Sequence, residues 1–263
     1  MENLMEENNI YVADSIDFMP QLIDNSIDLI FADPPFNLKK DYGVYKDDLS
    51  TEEYYNWCEE WISLGFSKLN ETGSFYVYIN PKHLGHIQII MEKYGIYRNT
   101  IVWHYTNPTP IRNHYPKTYS TFLFFTKTKK YIFNKDAIRV KTFQNNTKIK
   151  TKIKETRLYD VWSDIPKLTG GYLAQKEVIL KPGTKQREFV YQLPEELLRR
   201  IILTSSDKNS LIFDPFTHSG TTAVICKRYN RRFLGCEINP KYTELATKRV
   251  AAISHSLEKG ENK

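Results

Sequence analysis

Residues 26–32, Ser-Ile-Asp-Leu-Ile-Phe-Ala, form a nearly continuous apolar run that stops at Asp33-Pro34-Pro35. A strand buried on both faces has this pattern, and strands of that kind belong to parallel sheets covered by helices. The surrounding sequence agrees. Short apolar runs at 10–13, 74–79, 101–103, 121–125, 211–213 and 233–236 read as strands. Between them, 51–69, 86–93, 194–203, 221–229 and 239–252 read as helices. The first helix opens at Ser50 or Thr51 with Glu53 nearby, a capping-box arrangement, and carries an apolar stripe of Tyr54, Trp57, Trp61, Leu64 and Phe66. Pro194, Glu195 and Glu196 suit the first turn of a later helix. Gly73 and Gly95 punctuate the first half. Strands alternating with helices predict an α/β fold with a doubly wound, mostly parallel sheet, whose ligands bind at the carboxyl ends of the strands.

Between the two ordered stretches the pattern fails. Residues 142–156 are polar and Lys-rich, and Thr169-Gly170-Gly171 and Lys181-Pro182-Gly183 are loop punctuation. Residues 134–188 therefore read as an irregular insertion that divides one core into 1–133 and 189–263. The charge is divided the same way. From His104 to Val190 there are 18 Lys and Arg against 6 Asp and Glu, whereas the rest of the chain has 19 against 25. A basic middle on acidic flanks is the footprint of a segment that binds a polyanion.

Composition removes several function classes. At 263 residues and 41% hydrophobic content, the chain can bury one core of ordinary size. No apolar run approaches membrane-spanning length. Residues 1–7 are acidic and lack the order of a secretion signal. Cys58, Cys226 and Cys236 have no paired spacing, which argues against disulfides and a zinc site and predicts a cytoplasmic protein without metal.

Two constellations carry chemistry. Asp33-Pro34-Pro35-Phe36-Asn37 stands where a strand ends. Two prolines stiffen the backbone and offer no N–H, so the turn presents carbonyl acceptors beside the Asp33 carboxylate. An exocyclic amino group on a base is planar and a poor nucleophile. Accepting both its hydrogens, at a carboxylate and a carbonyl, pulls it toward a tetrahedral form and frees its lone pair, while an aromatic ring at Phe36 holds the base plane. A base would have to leave the duplex to reach so small a pocket. The second constellation, Phe213-Asp214-Pro215-Phe216-Thr217-His218-Ser219-Gly220-Thr221-Thr222, runs from strand into helix. The next strand delivers Glu237 to the sheet edge, where an acidic residue holds ribose hydroxyls. The dinucleotide fingerprint G-x-G-x-x-G is absent.

Together these resemble the amino-directed DNA methyltransferases of the permuted β class, in which the catalytic turn precedes the cofactor loop. Asp33 to Phe36 match the family's Asp-Pro-Pro-Tyr/Phe; Asp214, Pro215, Phe216, Ser219, Gly220, Thr221 and Thr222 match its Asp-Pro-Phe-x-Gly-Ser-Gly-Thr-Thr; Gly235, Glu237, Asn239 and Pro240 match its Gly-x-Glu-x-Asn-Pro. Val12-Ala13-Asp14-Ser15 is similar to the segment that contacts the cofactor's adenine, and Gln192-Leu193-Pro194 to the Gln-Lys-Pro before the cofactor strand. Two departures stand out: His218 replaces the loop's first glycine and Leu193 replaces the lysine. The resemblance implies a circularly permuted S-adenosylmethionine-dependent methyltransferase fold with an inserted target-recognition region. It implies methyl transfer from S-adenosyl-L-methionine to the N6 amino group of adenine in double-stranded DNA. Asp33, Pro34, Pro35 and Phe36 would be catalytic. Asp14, Asp33, Asp214, Phe216, His218, Ser219, Gly220, Thr221, Thr222, Glu237 and Asn239 would bind the cofactor. DNA contacts are expected from Asn107, Arg112, Lys117, Arg139, Lys141, Lys148, Lys150 and Lys152. A restriction-modification setting with a cognate endonuclease, an orphan modification enzyme and a homodimer are all compatible with the family. Three alternatives stay open at this level: N4-cytosine methylation, methylation of RNA or a protein glutamine, and a DNA-binding module disabled by His218.

Overall fold

The computed structural model describes residues 5–40, 45, 47–106, 111–141, 155–169, 175–189 and 191–253. In chain order the strands are β1 (Asn9–Val12), β2 (Ile27–Ala32), β3 (Leu69–Ile79), β4 (Ile96–His104), β5 (Tyr119–Thr126), β6 (Arg139–Lys141), β7 (Glu155–Arg157), β8 (Val161–Trp162), β9 (Leu211–Asp214) and β10 (Arg232–Glu237). Eight of them form one sheet in the order β1-β10-β9-β2-β3-β5-β4-β8, and β6 and β7 form a separate ribbon. From β1 to β3 every pairing is parallel. β5 is antiparallel to both β3 and β4, so the sheet is mostly parallel with one reversed strand.

The helices are α1 (Ser15–Phe18), α2 (Thr51–Lys68), α3 (Leu84–Glu92), α4 (Glu195–Ser205), α5 (Thr221–Arg228) and α6 (Pro240–Ala251). α2 forms as its sequence demands: the Ser50 side chain accepts from the Glu53 amide, and Glu53 returns the bond to the Ser50 amide at 2.9 Å. Its residues Tyr54, Cys58, Trp61 and Ile62, three or four apart, are buried with α1 and α3 against one sheet face, on Ile30, Phe75, Val77 and Phe213. α4 and α5 cover the other face through Leu197, Leu198, Ile201, Val224 and Ile225, joined by Ala246 and Val250 of α6. Both faces are therefore covered, which explains why β2 and β9 read as unbroken apolar runs.

The winding of the sheet reverses between the parallel neighbours β9 and β2. From β9 the chain crosses through α5 to β10 on one side, and from β2 it crosses through α2 to β3 on the other. A crevice outside the carboxyl ends of these two strands follows from that topology. Both sequence constellations begin there, at Asp33 and at Asp214.

Two expectations are corrected. Residues 134–188 are not uniformly irregular: they contain the β6–β7 ribbon, and β8 extends the main sheet parallel to β4 through Val102↔Val161 and Trp103↔Trp162. Ile138, Trp162, Ile165, Leu168 and Val178 are buried. These apolar residues fall in short, widely separated groups among polar ones, too scattered to give a period. Gly73 does not separate α2 from a later strand. β3 starts directly at Leu69, and its register on β2 slips between Ile27 and Leu29, so residues 70–73 are taken up in a bulge. Among the described residues no helix is long and apolar enough to cross a membrane.

Candidate active site

The end of β2 carries Asp33 to the sheet edge. Burial, and next the Asp214 carboxyl, push its pKa well above the usual carboxylate range. The following turn is pinned from behind. The Tyr54 hydroxyl donates to the Pro35 carbonyl at 3.1 Å. No hydrogen bond to the Pro34 carbonyl occurs among the described residues, so that acceptor stays available beside Asp33. The Phe36 ring packs against Tyr78, with centroids 5.6 Å apart. Beyond it, Asn37 and Lys39 adopt left-handed backbone conformations. Asp47, only 2% exposed, accounts for this path. Its carboxylate accepts the amides of Asn37 (2.7 Å), Leu38 (2.8 Å) and Lys40 (3.2 Å), and its carbonyl accepts that of Lys39 (2.8 Å). One buried anion thus collects the N–H groups of a folded loop, as an anion does in a backbone nest.

The second loop is ordered from within. Asp214 accepts the Phe216 amide at 3.0 Å and the Thr222 hydroxyl at 2.5 Å. Its burial outweighs these bonds and raises its pKa to about 7. Glu237 accepts the amides of His218 and Asn239, one on each oxygen, both at 2.9 Å. Burial raises its pKa despite the two donors. Gly220 has φ of +74°, and a Cβ there would stand 2.9 Å from the Ala246 Cβ, so both conformation and packing require glycine. Arg249 braces the loop from below, donating to the Ser219 carbonyl at 2.9 Å while paired with Glu195 at 2.8 Å.

His218 adopts φ of +46°. That left-handed conformation is the physical reason a glycine suits this position, and histidine is one of the side chains that tolerates it. The side chain is not turned out to solvent. Its ring stands edge-on to Phe189 (4.9 Å) and to Tyr242 (5.3 Å), and burial lowers its pKa to about 4, so the imidazole is neutral near pH 7.

Both loops open on one cleft of about 290 Å³. Asp14, Asp33, Pro34, Pro35, Phe36, Phe216, His218 and Glu237 line it together. Asp14 also caps α1, one oxygen accepting the Ile16 amide at 2.8 Å while the other has no partner among the described residues. Asp214, Ser219, Gly220, Thr221, Thr222 and Asn239 do not line the cleft. Within the loops they bond to their neighbours: Asp214 and Thr222 bond each other, Ser219 and Thr221 hold Arg249, and Asn239 caps α6. Of the expected DNA-contacting residues among those described, only Lys117 reaches the cleft, where it donates to the Asn80 side chain at 3.1 Å. Arg112 is exposed outside it. Arg139 and Lys141 lie on the β6–β7 ribbon, with Arg139 paired to Asp136 at 3.0 Å. Asn107, Lys148, Lys150 and Lys152 lie outside the described residues. Trp103 and Tyr105 form the wall beyond Phe36 together with Tyr78 and Ser120. Tyr78, Ser120 and Asp47 were not foreseen from the sequence: Tyr78 sat in plain view inside a predicted strand, but a strand residue near the carboxyl end is indistinguishable from core until the sheet order is known. Among the described residues no group of three His, Cys, Asp or Glu side chains is arranged to hold a metal ion.

Comparison with known proteins matches this architecture. A type II methyltransferase of Haemophilus parainfluenzae, M.HpaI, is 33% identical over 247 residues, covering 93% of this chain and 74% of that protein. The DNA adenine methyltransferase YhdJ of Escherichia coli K12 is 30% identical over 265 residues, covering 95% and 85%. A DNA modification methylase from Thermus thermophilus, solved with S-adenosyl-L-methionine, shares the fold at a TM-score of 0.63 and 20% identity, over 92% of this chain and 93% of that one. The family model described as DNA methylase matches residues 27–248, which include the Asp33 turn, most of the cleft lining and the Asp214 loop, and the chain therefore belongs to the N6/N4 DNA methylase family.

Proposed function

We propose that this DNA methyltransferase modifies the N6 amino group of adenine, with the base turned out of the duplex into the half of the cleft between Asp33 and the wall formed by Phe36, Tyr78, Trp103 and Tyr105. The observation that carries this reading is the pairing of the Asp33 carboxyl with a Pro34 carbonyl that has no other partner among the described residues, next to an aromatic wall. The two acceptors take the two amino hydrogens, and the rings hold the base plane. The other half of the cleft suits S-adenosyl-L-methionine. Glu237, fixed by two amides, keeps outward lone pairs for ribose hydroxyls; Asp14 offers its second oxygen to an amino group; Phe216, Pro215 and Ile238 give an apolar floor. The His218 ring is engaged by Phe189 and Tyr242, which leaves the loop intact despite the missing glycine.

When bound, S-adenosyl-L-methionine supplies a methyl group on a positively charged sulfur, which needs no activation by the protein. Asp33 and Pro34 direct the amino lone pair at that carbon. As the N–C bond forms, the sulfur keeps the electron pair of the bond that breaks. The surplus amino proton lies on the hydrogen bond to Asp33, whose raised pKa makes it a competent acceptor. Catalysis is positioning and electrostatic preorganisation without a covalent enzyme intermediate. Similarity to M.HpaI supports a restriction-modification setting, and the adenine assignment is supported by the turn chemistry and by similarity to YhdJ.

The test is transfer of labelled methyl groups to unmethylated genomic DNA, digested to nucleosides. Label in N6-methyladenine is the expected result. Label in N4-methylcytosine overturns the base assignment, and no label at saturating donor overturns the enzymatic reading.

A further inference from the structure

The rim of the cleft on its base side is strongly basic in a way the aromatic wall does not require. Lys167 holds its ammonium 4.9 Å from the Tyr105 ring centroid, at the mouth of the pocket. Arg187 lines the same mouth and donates to the Leu168 carbonyl at 3.3 Å. Lys117 completes the group, bonded to the neutral Asn80. None of the three makes an ion pair among the described residues, whereas lysines and arginines elsewhere are repeatedly matched to carboxylates. Burial lowers the pKa of Lys167, and the like charge of Arg187 lowers it further. Like charges gathered at a cleft mouth with no carboxylate between them favour an anion that arrives from outside.

Position identifies that anion. Asn80 follows β3, and Tyr105 follows β4; both strands lie on the far side of β2 from β9 and β10, which carry the cofactor loop and Glu237. Lys117 and Lys167 therefore line the base half of the cleft, and Arg187 joins them beside Leu168. A nucleotide turned into that half brings its phosphates to the entrance, because they tether it to the strand.

We propose that Lys117, Lys167 and Arg187 seat the phosphodiester backbone beside the extruded nucleotide, a proposal that rests on reading the pocket as the site of a DNA base. The segments that carry Lys167 and Arg187 then act on DNA beside the active site itself. Each charge contributes to affinity for DNA and to its salt dependence, independently of sequence.

The experiment measures methyl transfer to unmethylated genomic DNA across a series of salt concentrations, for the wild type, Lys167→Gln, Arg187→Gln, the double variant and Lys167→Arg, with S-adenosyl-L-methionine binding measured by calorimetry for each. The double variant is expected to raise KM for DNA by about tenfold or more. It should flatten the dependence of log KM on log salt by about one to two, roughly one for each phosphate that is no longer neutralised. Lys167→Arg should keep the wild-type slope, which a merely structural role of the side chain would not predict. A double variant with the wild-type salt slope overturns the proposal while leaving the enzyme's activity established. Loss of donor binding in the calorimeter overturns it in favour of a cofactor-carboxylate role. A wild type that transfers nothing to DNA overturns the underlying reading, and this one with it.

Discussion

At the scale of single residues, Asp33 shows how location turns a common turn residue into a chemical group. Because the acceptor role needs the ionised form, and because burial and Asp214 raise its pKa, kcat should fall on the acid side through a limb well above the ordinary carboxylate range. A limb at the ordinary carboxylate position would show that Asp33 is not the titrating acceptor. Asp33→Asn, which keeps one carbonyl acceptor but cannot take a proton, should lower kcat by roughly 10²–10³-fold with donor affinity nearly intact. His218 makes a different test. Its folded pKa, about 4, is below the ordinary value, so near pH 5 the unfolded chain binds a proton that the folded one refuses, and stability is lost as pH falls below about 6.5. His218→Gly removes that penalty and relieves a left-handed side chain. The variant should gain about 1–2 kcal/mol over the wild type on going from pH 8 to pH 5, read by urea unfolding. A pH-independent difference would mean the ring is solvated. Both positions stood out in the sequence, Asp33 at the head of the Asp-Pro-Pro-Phe turn and His218 as the side chain in place of a glycine. What was not legible was the environment of His218, since Phe189 and Tyr242 reach it from distant segments.

At the scale of elements, the sequence announced most clearly those with a local physical cause. α2 carried its capping box and stripe openly, and the helix after the cofactor loop was marked by Gly220. Substituting Gly220→Ala should cost more than about 1 kcal/mol, because the new Cβ meets both a positive φ and Ala246; a neutral substitution would show that α6 can move aside. The loop after the catalytic turn was opaque for the opposite reason. Nothing local foretells that Asp47, ten residues from Asn37, turns inward to collect three amides instead of facing water as an aspartate usually does. Asp47→Ala leaves those donors without their partner and should cost about 2–3 kcal/mol. It should also lower kcat for methyl transfer through a loosened Phe36, with donor affinity largely kept because the cofactor half is built from other strands. Equal losses in kcat and donor binding would indicate a general collapse of the cleft instead.

At the scale of the whole molecule, the basic middle of the chain and the core are one construction. The Lys-rich composition of residues 134–188 suggested an insertion separate from the core, because charge patterning reports surface and not what lies beneath. Yet β8 lengthens the main sheet, the Trp103 indole N–H donates to the Ile165 carbonyl at 2.9 Å, and Trp162 is buried in the same cluster as α4. Arg200 of α4, only 3% exposed, grips Asp164 with two bonds of 3.0 and 2.6 Å and lies over the Trp162 ring. These contacts hold the wall that carries Lys167 and Leu168 against strands that carry Trp103 and Tyr105. The wall and the catalytic turn should therefore unfold together. Trp162→Ala, which removes a large ring from this junction, should destabilise the protein by about 3–5 kcal/mol. It should do so as a shift of one urea transition seen equally by far-UV and near-UV circular dichroism. Two separated transitions, with an early loss confined to near-UV signal, would mean that the middle region folds as its own unit and merely rests on the core. A single shifted transition instead ties the segment that carries Lys167 to the sheet that holds Asp33, so that a packing change beyond the pocket reaches the alignment of the cleft's two halves.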